Sequence, residues 1–599
     1  MNVIYILTTL SIYTLFMLLF KTEKKQNLVT WLAISALLLL CYNTLLCVIL
    51  SFVNILCTLQ NLSICNGIIA LILLAFLLKT KKVQKYYVKK IDIIYAVVLV
   101  MIVGFIAYNQ YGFPFDLKYK ITDGSTHYFF ANEFYKRSTL LYKGDYINDI
   151  FGMYDSDFRL PGAYVNEGIL FKVFDNIMLK SEVYVLFDLF TLYLSGILFY
   201  GLIQKHITKE NKKTQILSMI FPIIYMFGYQ LNSMLYGYVY LSLALSMIIG
   251  FFILIASYDK KEFESRTILL MLALMSFGVF FSYAYFIPII YIGIIANWII
   301  QAIISKESLL SEDNLMYIWC IIVIPLILGL TFFIILPGAK GIKNEISTIG
   351  TDGKIYENYI TNFIVFIPII ITSIVLSVKS KKKDIDFGMI LFALSIIFAI
   401  ILFVGNKLEI VSAYYFFKAY YIIWPLAIYN AFVAIYNILD SGNKKLETGT
   451  IIYIGTYIVT ILISTFILKL NIGINNIFYH NVECIEHEWK AVLHEEVVFA
   501  DYVEKTMQRN QIYVLSPKFT GRARWISILY NNEFIFFNYA SKHKITIEEW
   551  LTSKDEKYYL AYYRDYKELE ENNEEPSENH KKYKIIYNDE YAFILEKTN

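Results

Sequence analysis

Apolar runs long enough to cross a bilayer recur through this chain, at about 3–20, 29–56, 64–78, 92–109, 182–204, 214–229, 235–257, 267–283, 285–304, 315–336, 359–378, 387–405, 415–438 and 449–469. A spanning helix needs roughly 20 mainly apolar residues, and inside lipid every backbone N–H and C=O must be paired within the segment. Such a sequence predicts a polytopic α-helical membrane protein with about fourteen transmembrane helices. Composition agrees: 57% of the residues are hydrophobic, only 17% are charged, and the mean hydropathy is +0.53. The charges fall in clusters between the apolar runs instead of along helix faces.

Those clusters have a parity. Lys21 to Lys25, Lys79 to Lys90, Lys205 to Lys213, Lys260-Lys261, Lys379 to Lys383 and Lys444-Lys445 each follow an odd-numbered run. The short connections near Gln60, Gln230 and Tyr283 are almost free of Lys and Arg. The positive-inside rule then predicts basic loops in the cytoplasm, and the N-terminus, the 110–181 loop, residues 337–358 and everything after about 470 outside. The first run lacks a basic n-region and a small-residue cleavage site, so it reads as a retained helix and not as a signal peptide. The expected location is the cell (cytoplasmic) membrane, with membrane lipids around it.

A net charge of +3 without a dense basic face argues against nucleic acid as a partner. The six cysteines show no metal-ligand spacing, and five of them lie in or beside apolar runs, as packing residues do. There is no GxxxxGK[ST] loop, GxSxG elbow, HExxH helix or CxxC pair, so ATP-driven transport and several soluble-enzyme mechanisms lack their parts.

Three domains follow: N-terminal transmembrane helices over 1–91, a transmembrane module over 92–475 with its outer loop 110–181, and a soluble α/β domain over 476–599. The loop is too long for a simple connection and carries amphipathic pieces such as His127 to Lys136. In the tail, a helical pattern over 485–508 precedes strand-like runs at 511–515, 557–563, 584–587 and 591–595, with Asn588-Asp589-Glu590 as a hairpin turn. Glu568 to His580 reads as a charged, solvated loop.

Ionisable side chains beside apolar spans invite a functional reading. Asp123-Gly124-Ser125-Thr126-His127 pairs a carboxylate and an imidazole, which could bind a cation or accept a proton; the alternative is an Asx-type turn capping a helix that begins near Ser125. Later in the same loop, Asp155, Asp157 and Arg159 stand together ahead of Glu167. The guanidinium of Arg159 suits phosphate, while an idle Asp–Arg surface pair is the alternative. Tyr414, Tyr415 and Lys418 sit at the start of the thirteenth run, with Lys418 about one helical turn inside it. A buried lysine needs an anionic partner, and a lipid-linked phosphate would supply one; snorkelling beside an aromatic belt is the alternative. Arg522-Ala523-Arg524-Trp525 in the tail fits acidic sugars or an exposed loop with a buried Trp equally well.

The arrangement resembles the GT-C superfamily of membrane glycosyltransferases. Asp123 to Tyr128 looks like that family's acidic first-loop motif, and Leu160-Pro161-Gly162-Ala163-Tyr164 like the start of the helix that follows it. The resemblance implies transfer of a sugar from a polyprenyl-phosphate-linked donor to a cell-envelope glycan or other outer acceptor. It implies catalytic roles for Asp123, His127, Asp155 and Asp157, and substrate contacts for Arg159, Glu167, Lys418, Tyr414 and Tyr415. It also implies a divalent cation, Mg or Mn, on Asp123. The chain departs from the family in having Gly124 where a second acid commonly stands, and in three extra N-terminal spans. Two other classes compete: a flippase or transporter of a lipid-linked saccharide, and a non-catalytic envelope scaffold. The first needs a polar path and broken helices, for which Pro222, Pro288, Pro325 and Pro368 are the available interruptions.

Overall fold

The computed structural model describes residues 1–19, 25–80, 83–121, 123–140, 160–208, 211–260, 262, 265–305, 308–309, 311–335, 360–379, 386–487, 492–507, 512–515, 525–526, 528–530, 547–552, 558–563 and 580–598. Four helices come first: α1 (Asn2–Leu19), α2 (Leu28–Phe52), α3 (Leu59–Thr80) and α4 (Lys90–Tyr111). Two shorter helices, α5 (Asp123–Arg137) and α6 (Gly162–Val173), occupy the long loop. The bundle continues with α7 (Ile177–His206), α8 (Lys212–Leu235), α9 (Val239–Asp259), α10 (Ser265–Tyr283), α11 (Ile287–Ser305) and α12 (Asn314–Ile334). It closes with α13 (Thr361–Leu376), α14 (Phe387–Lys407), α15 (Ala413–Asp440) and α16 (Lys444–Ile467).

Among the described residues twelve helical segments are long and apolar enough to span. One of them, Thr267–Ile304, is 38 residues long and contains both α10 and α11, which meet at a short 3-10 turn over Ala284–Phe286. The expected run at 359–378 corresponds to the shorter apolar helix α13. The fourteen runs and the twelve spans are therefore the same elements counted differently.

Asparagines mark several starts, because a side-chain oxygen can accept an amide hydrogen that has no partner in a first turn. Asn27 caps α2, Asn176 caps α7, Asn211 caps α8 and Asn443 caps α16. Burial then sorts the helices. About nine-tenths of the apolar window of α9 and of α15 is buried, against 17% for α3. The central helices α2, α7, α9 and α15 form the core, while α3, α4, α14 and α16 present rows of exposed Ile, Leu and Phe as a lipid-facing surface must.

The basic loops gather at one end. Strands β1 (Gln26–Asn27) and β2 (Tyr86–Tyr87) pair in parallel, joining the α1–α2 and α3–α4 connections. Lys205 pairs with Glu262, Lys213 with Glu447, and His206 stands 3.7 Å from Asp386. Among the described residues the connections after the first, third, fifth, seventh and thirteenth runs thus share one end.

The long loop and the tail meet at the opposite end. Helix α17 (Asn476–Glu486) packs on α4 and α8, and α18 (His494–Thr506) packs on α7. The expected single helix over 485–508 is two helices with an interruption between them. Leu117 and Val492 form a β-bridge, and Lys120 Nζ contacts His480 Nε2. Beyond them lies a mixed sheet of β3 (Ile512–Leu515), β4 (Tyr559–Tyr563), β5 (Tyr583–Asn588) and β6 (Ala592–Lys597), in the order β3-β4-β6-β5. The β3–β4 pair is parallel and the others antiparallel; the Asp589 carboxylate accepts from the Tyr591 and Ala592 amides in the expected hairpin turn.

Helix α8 is interrupted by a π turn over Met226–Gln230, where Gly228 leaves helical geometry and a Cβ would collide with the Trp424 indole. The carbonyls freed there do not go unpaired: Asn481 Nδ2 of α17 donates to Phe227 O at 2.7 Å and Gly228 O at 2.9 Å.

Candidate functional site

Helix α5 lies against the core through Gly124, His127, Tyr128, Ala131 and Phe134. It begins at Asp123 itself and not near Ser125, which puts the carboxylate in the first turn, where the helix dipole favours a negative charge. At its far end the carbonyls of Phe134 and Tyr135 are taken by Lys172 Nζ of α6. A Cβ at Gly168 would stand 2.7 Å from Ala131 O, so α5 and α6 touch backbone to backbone there.

Gly124 has a comparable reason. A Cβ on it would meet the Tyr119 ring at 3.0 Å, and Gly237, held at φ +76° in the α8–α9 turn, lies against its backbone. The Gly124 carbonyl accepts from Tyr184 Oη at 2.9 Å. A second acidic side chain beside Asp123, as the family resemblance would have it, therefore requires the Tyr119 ring to give way.

From Asp123 the site continues inward. His127 is 6% exposed, its Nδ1 lies 2.7 Å from Tyr164 Oη of α6, and the two rings stack at 5.6 Å. On the other side of His127 the Tyr240 ring stands edge-on at 4.7 Å. Asp123 is close enough to Tyr240 to act on it electrostatically.

Tyr240 also belongs to a second cluster. Lys418 of α15 is only 3% exposed; its Nζ donates to Tyr240 Oη at 2.9 Å. Around the ammonium stand the rings of Tyr414, Tyr238, Tyr283 and Tyr240, with centroids at 4.4, 5.2, 5.2 and 5.4 Å. Each ring face attracts a cation by about 0.5–2 kcal/mol, but four tyrosines add no counter-charge. The cage holds the Lys418 ammonium in place.

The expected residues divide accordingly. His127, Lys418 and Tyr414 gather around Tyr240, and Asp123 stands about one turn before His127 on α5. Tyr415 stands at the flank, its ring 5.5 Å from Tyr285, whose hydroxyl donates to the Tyr415 carbonyl. Glu167 turns inward: it is 0% exposed, and its two carboxylate oxygens have no hydrogen-bond partner among the described residues. Burial, with the Asp188 charge nearby, pushes its carboxyl well above the ordinary range, and Glu167 stands inside the packing of α6. Asp155, Asp157 and Arg159 lie outside the described residues, as do Arg522 and Arg524, while Trp525 is buried and stacks on Tyr119 at 5.9 Å. Among the described residues no three His, Cys, Asp or Glu side chains close on one point.

Sequence reasoning missed Tyr238, Tyr240 and Tyr283. For Tyr238 and Tyr240 the signal is the alternation Tyr236-Gly237-Tyr238-Val239-Tyr240, and for Tyr283 it is the pair Tyr283-Ala284-Tyr285.

The class that emerges is a polytopic helical membrane protein whose first long loop and thirteenth apolar run build one polar site at the end opposite the basic loops. No family model matches the chain, and no curated protein matches it. Among solved structures, the crystal structure of ArnT from Cupriavidus metallidurans bound to undecaprenyl phosphate is similar, with 9% sequence identity and a TM-score of 0.41 over 84% of this chain and 97% of that one.

Proposed function

We propose that this chain is a GT-C-like membrane glycosyltransferase that moves a sugar from a polyprenyl-phosphate-linked donor to a cell-envelope acceptor on the outer face. The observation that carries the reading is the meeting of His127 on α5 with Lys418 on α15 through one side chain, Tyr240, about one helical turn from Asp123 on α5.

In this reaction the acceptor oxygen attacks the anomeric carbon, its proton passes to Asp123, and the bond from that carbon to the phosphate oxygen breaks. The leaving polyprenyl phosphate takes the electron pair, and Lys418 meets the negative charge that grows there. Such charge stabilisation acts where the transition state differs from the ground state, and general-base help adds roughly 10²–10⁴ in rate. His127, fixed between Tyr164 and Tyr240, orients the acceptor side. Arg159, Asp155 and Asp157 extend the proposal to the rest of the loop, and a Mg or Mn ion on Asp123 remains part of it without carrying a step. The N-terminus and the tail would then face the outside.

The flippase reading needs a broken helix that lines a polar path. The break in α8 instead has its carbonyls taken by Asn481, which favours transfer over transport.

The test is transfer of a labelled sugar from polyprenyl-phosphate donors by the purified protein in lipid, with Asp123→Ala, Lys418→Ala and EDTA-treated samples beside the wild type. Transfer abolished in folded Asp123→Ala supports the enzyme, and EDTA sensitivity decides the cation. Undiminished transfer in both variants removes the site, and transfer from no donor removes the reading.

A further inference from the structure

The basic end of the bundle holds a cavity of about 560 Å³ that the transfer reaction does not use. That volume is in the usual range for small-molecule sites, roughly 300–1,000 Å³. It opens between the ends of α7, α9, α11, α13, α14 and α15, and its lining combines two chemistries. Asp259, Asp386 and Asp440 line it, and so do Ile304, Ile370 and Ile374.

The acidic lining is unusual for its place. Lys205, Lys213 and Lys445 crowd the surrounding loops, yet three carboxylates face the cavity with one lysine, Lys260, at the exposed rim. Asp386 is well supplied: Gly388 N donates at 2.7 Å, Tyr429 Oη at 2.9 Å, and His206 stands 3.7 Å away. Asp259 is not. Among the described residues its carboxylate receives one long hydrogen bond, 3.4 Å from Asn297 Nδ2. A donor entering the cavity would add to the single long hydrogen bond that Asp259 receives from the described residues. The carboxylates stand around the wall instead of closing on a point, and no three ionisable ligands converge as a metal requires. A protonated primary amine, with three N–H donors pointing different ways, suits that spread.

The apolar lining says where the amine comes from. Ile304 is 50% exposed and Ile374 42% exposed, and they adjoin Ile303 and Ile371 in the rows that face lipid. The cavity is therefore continuous with the membrane-facing surface, and its occupant has an apolar body and a cationic head. Lys260 at the rim and the neighbouring basic loops suit a phosphate between the two.

We infer that this cavity is a binding site for a membrane phospholipid with a primary-amine headgroup, the ammonium held by Asp259 with Asp386 and Asp440, and the acyl chains lying along Ile304 and Ile374. The site is independent of the transfer reaction proposed above, which lies at the other end of the bundle.

Native mass spectrometry of the full chain, purified and exposed in turn to phosphatidylethanolamine, phosphatidylglycerol and phosphatidylcholine, tests it. The expected result is retention of one phosphatidylethanolamine at least tenfold over the other two. Asp259→Asn should lower that preference at least tenfold, and Asp440→Asn, an exposed rim change that leaves the core intact, should lower it by a few-fold. Equal retention of the three lipids, preference for phosphatidylglycerol, or unchanged preference in both folded variants overturns the proposal. Displacement of the bound lipid by soluble glycerophosphoethanolamine at matched concentration overturns the lipid as the source.

Discussion

At one end of this bundle a lysine is set among tyrosines, and at the other three aspartates line a cavity beside isoleucines. The two ends invert what surrounds them. The cation sits beside the loop helix α5, away from the basic loops, and the carboxylates sit in the middle of those loops. Each arrangement presents a charge to the site it lines: an ammonium at Lys418, a carboxylate at Asp259. The lesson is that buried charge in a membrane bundle is informative by its environment, since lipid supplies no compensation and protein supplies only part of it.

The separation of the ends can be broken most directly by kinetics. Lys418→Met should lower sugar transfer in proteoliposomes by about 10²–10³, the usual cost of losing a group that meets transition-state charge, while Asp259→Asn leaves it within about twofold. Equal losses in the two variants would mean that the ends act as one site. Within the loop end, His127→Phe keeps both ring contacts and removes the Tyr164 hydrogen bond, so the rate in the same assay should fall by about tenfold, the worth of one buried hydrogen bond.

Gly124→Asp, which would restore the second acid of the resemblance, should destabilise the fold by about 1–3 kcal/mol, since the new side chain enters the space of Tyr119 and Gly237. A lowered thermal midpoint in detergent without any gain in transfer is the expected outcome; a gain would show that the loop can open there.

The joint between loop and tail should respond to acid. Burial and the nearby Lys120 push the His480 imidazole down to about 3, whereas an unfolded histidine takes its proton near 6.5. The unfolded state thus binds more protons between those values, and stability falls as pH drops from about 6.5 toward 3. His480→Gln should flatten that slope, by about 2–4 °C at pH 5, in a thermal melt followed across pH.

Much of the architecture was legible because hydropathy and lysine placement are local signals. The spans, the gathering of the basic loops and the four tail strands all follow from runs read in one place. The interrupted tail helix was not legible, since the break between Glu486 and His494 carries no Gly or Pro. For the site, Asp123, His127, Lys418 and Tyr414 were found because an ionisable or aromatic residue beside an apolar run stands out. Tyr238, Tyr240 and Tyr283 were missed because a tyrosine near a membrane interface has an ordinary explanation. Only the fold distinguishes a ring that faces lipid from one that faces an ammonium. Glu167 shows the opposite error, since proximity in sequence to Arg159 says nothing about which face of α6 it occupies.

One contact bears on how such a chain is made. Asn481 supplies the hydrogen bonds for Phe227 and Gly228, more than 250 positions earlier. Synthesis runs from the N-terminus, so α8 enters the membrane long before its partner leaves the ribosome. Until then the seam at Gly228 depends on water or on a temporary companion. The bundle is locked only by the last fifth of the chain, and a product truncated ahead of Asn481 carries an open seam by which the cell's proteases could recognise it as unfinished.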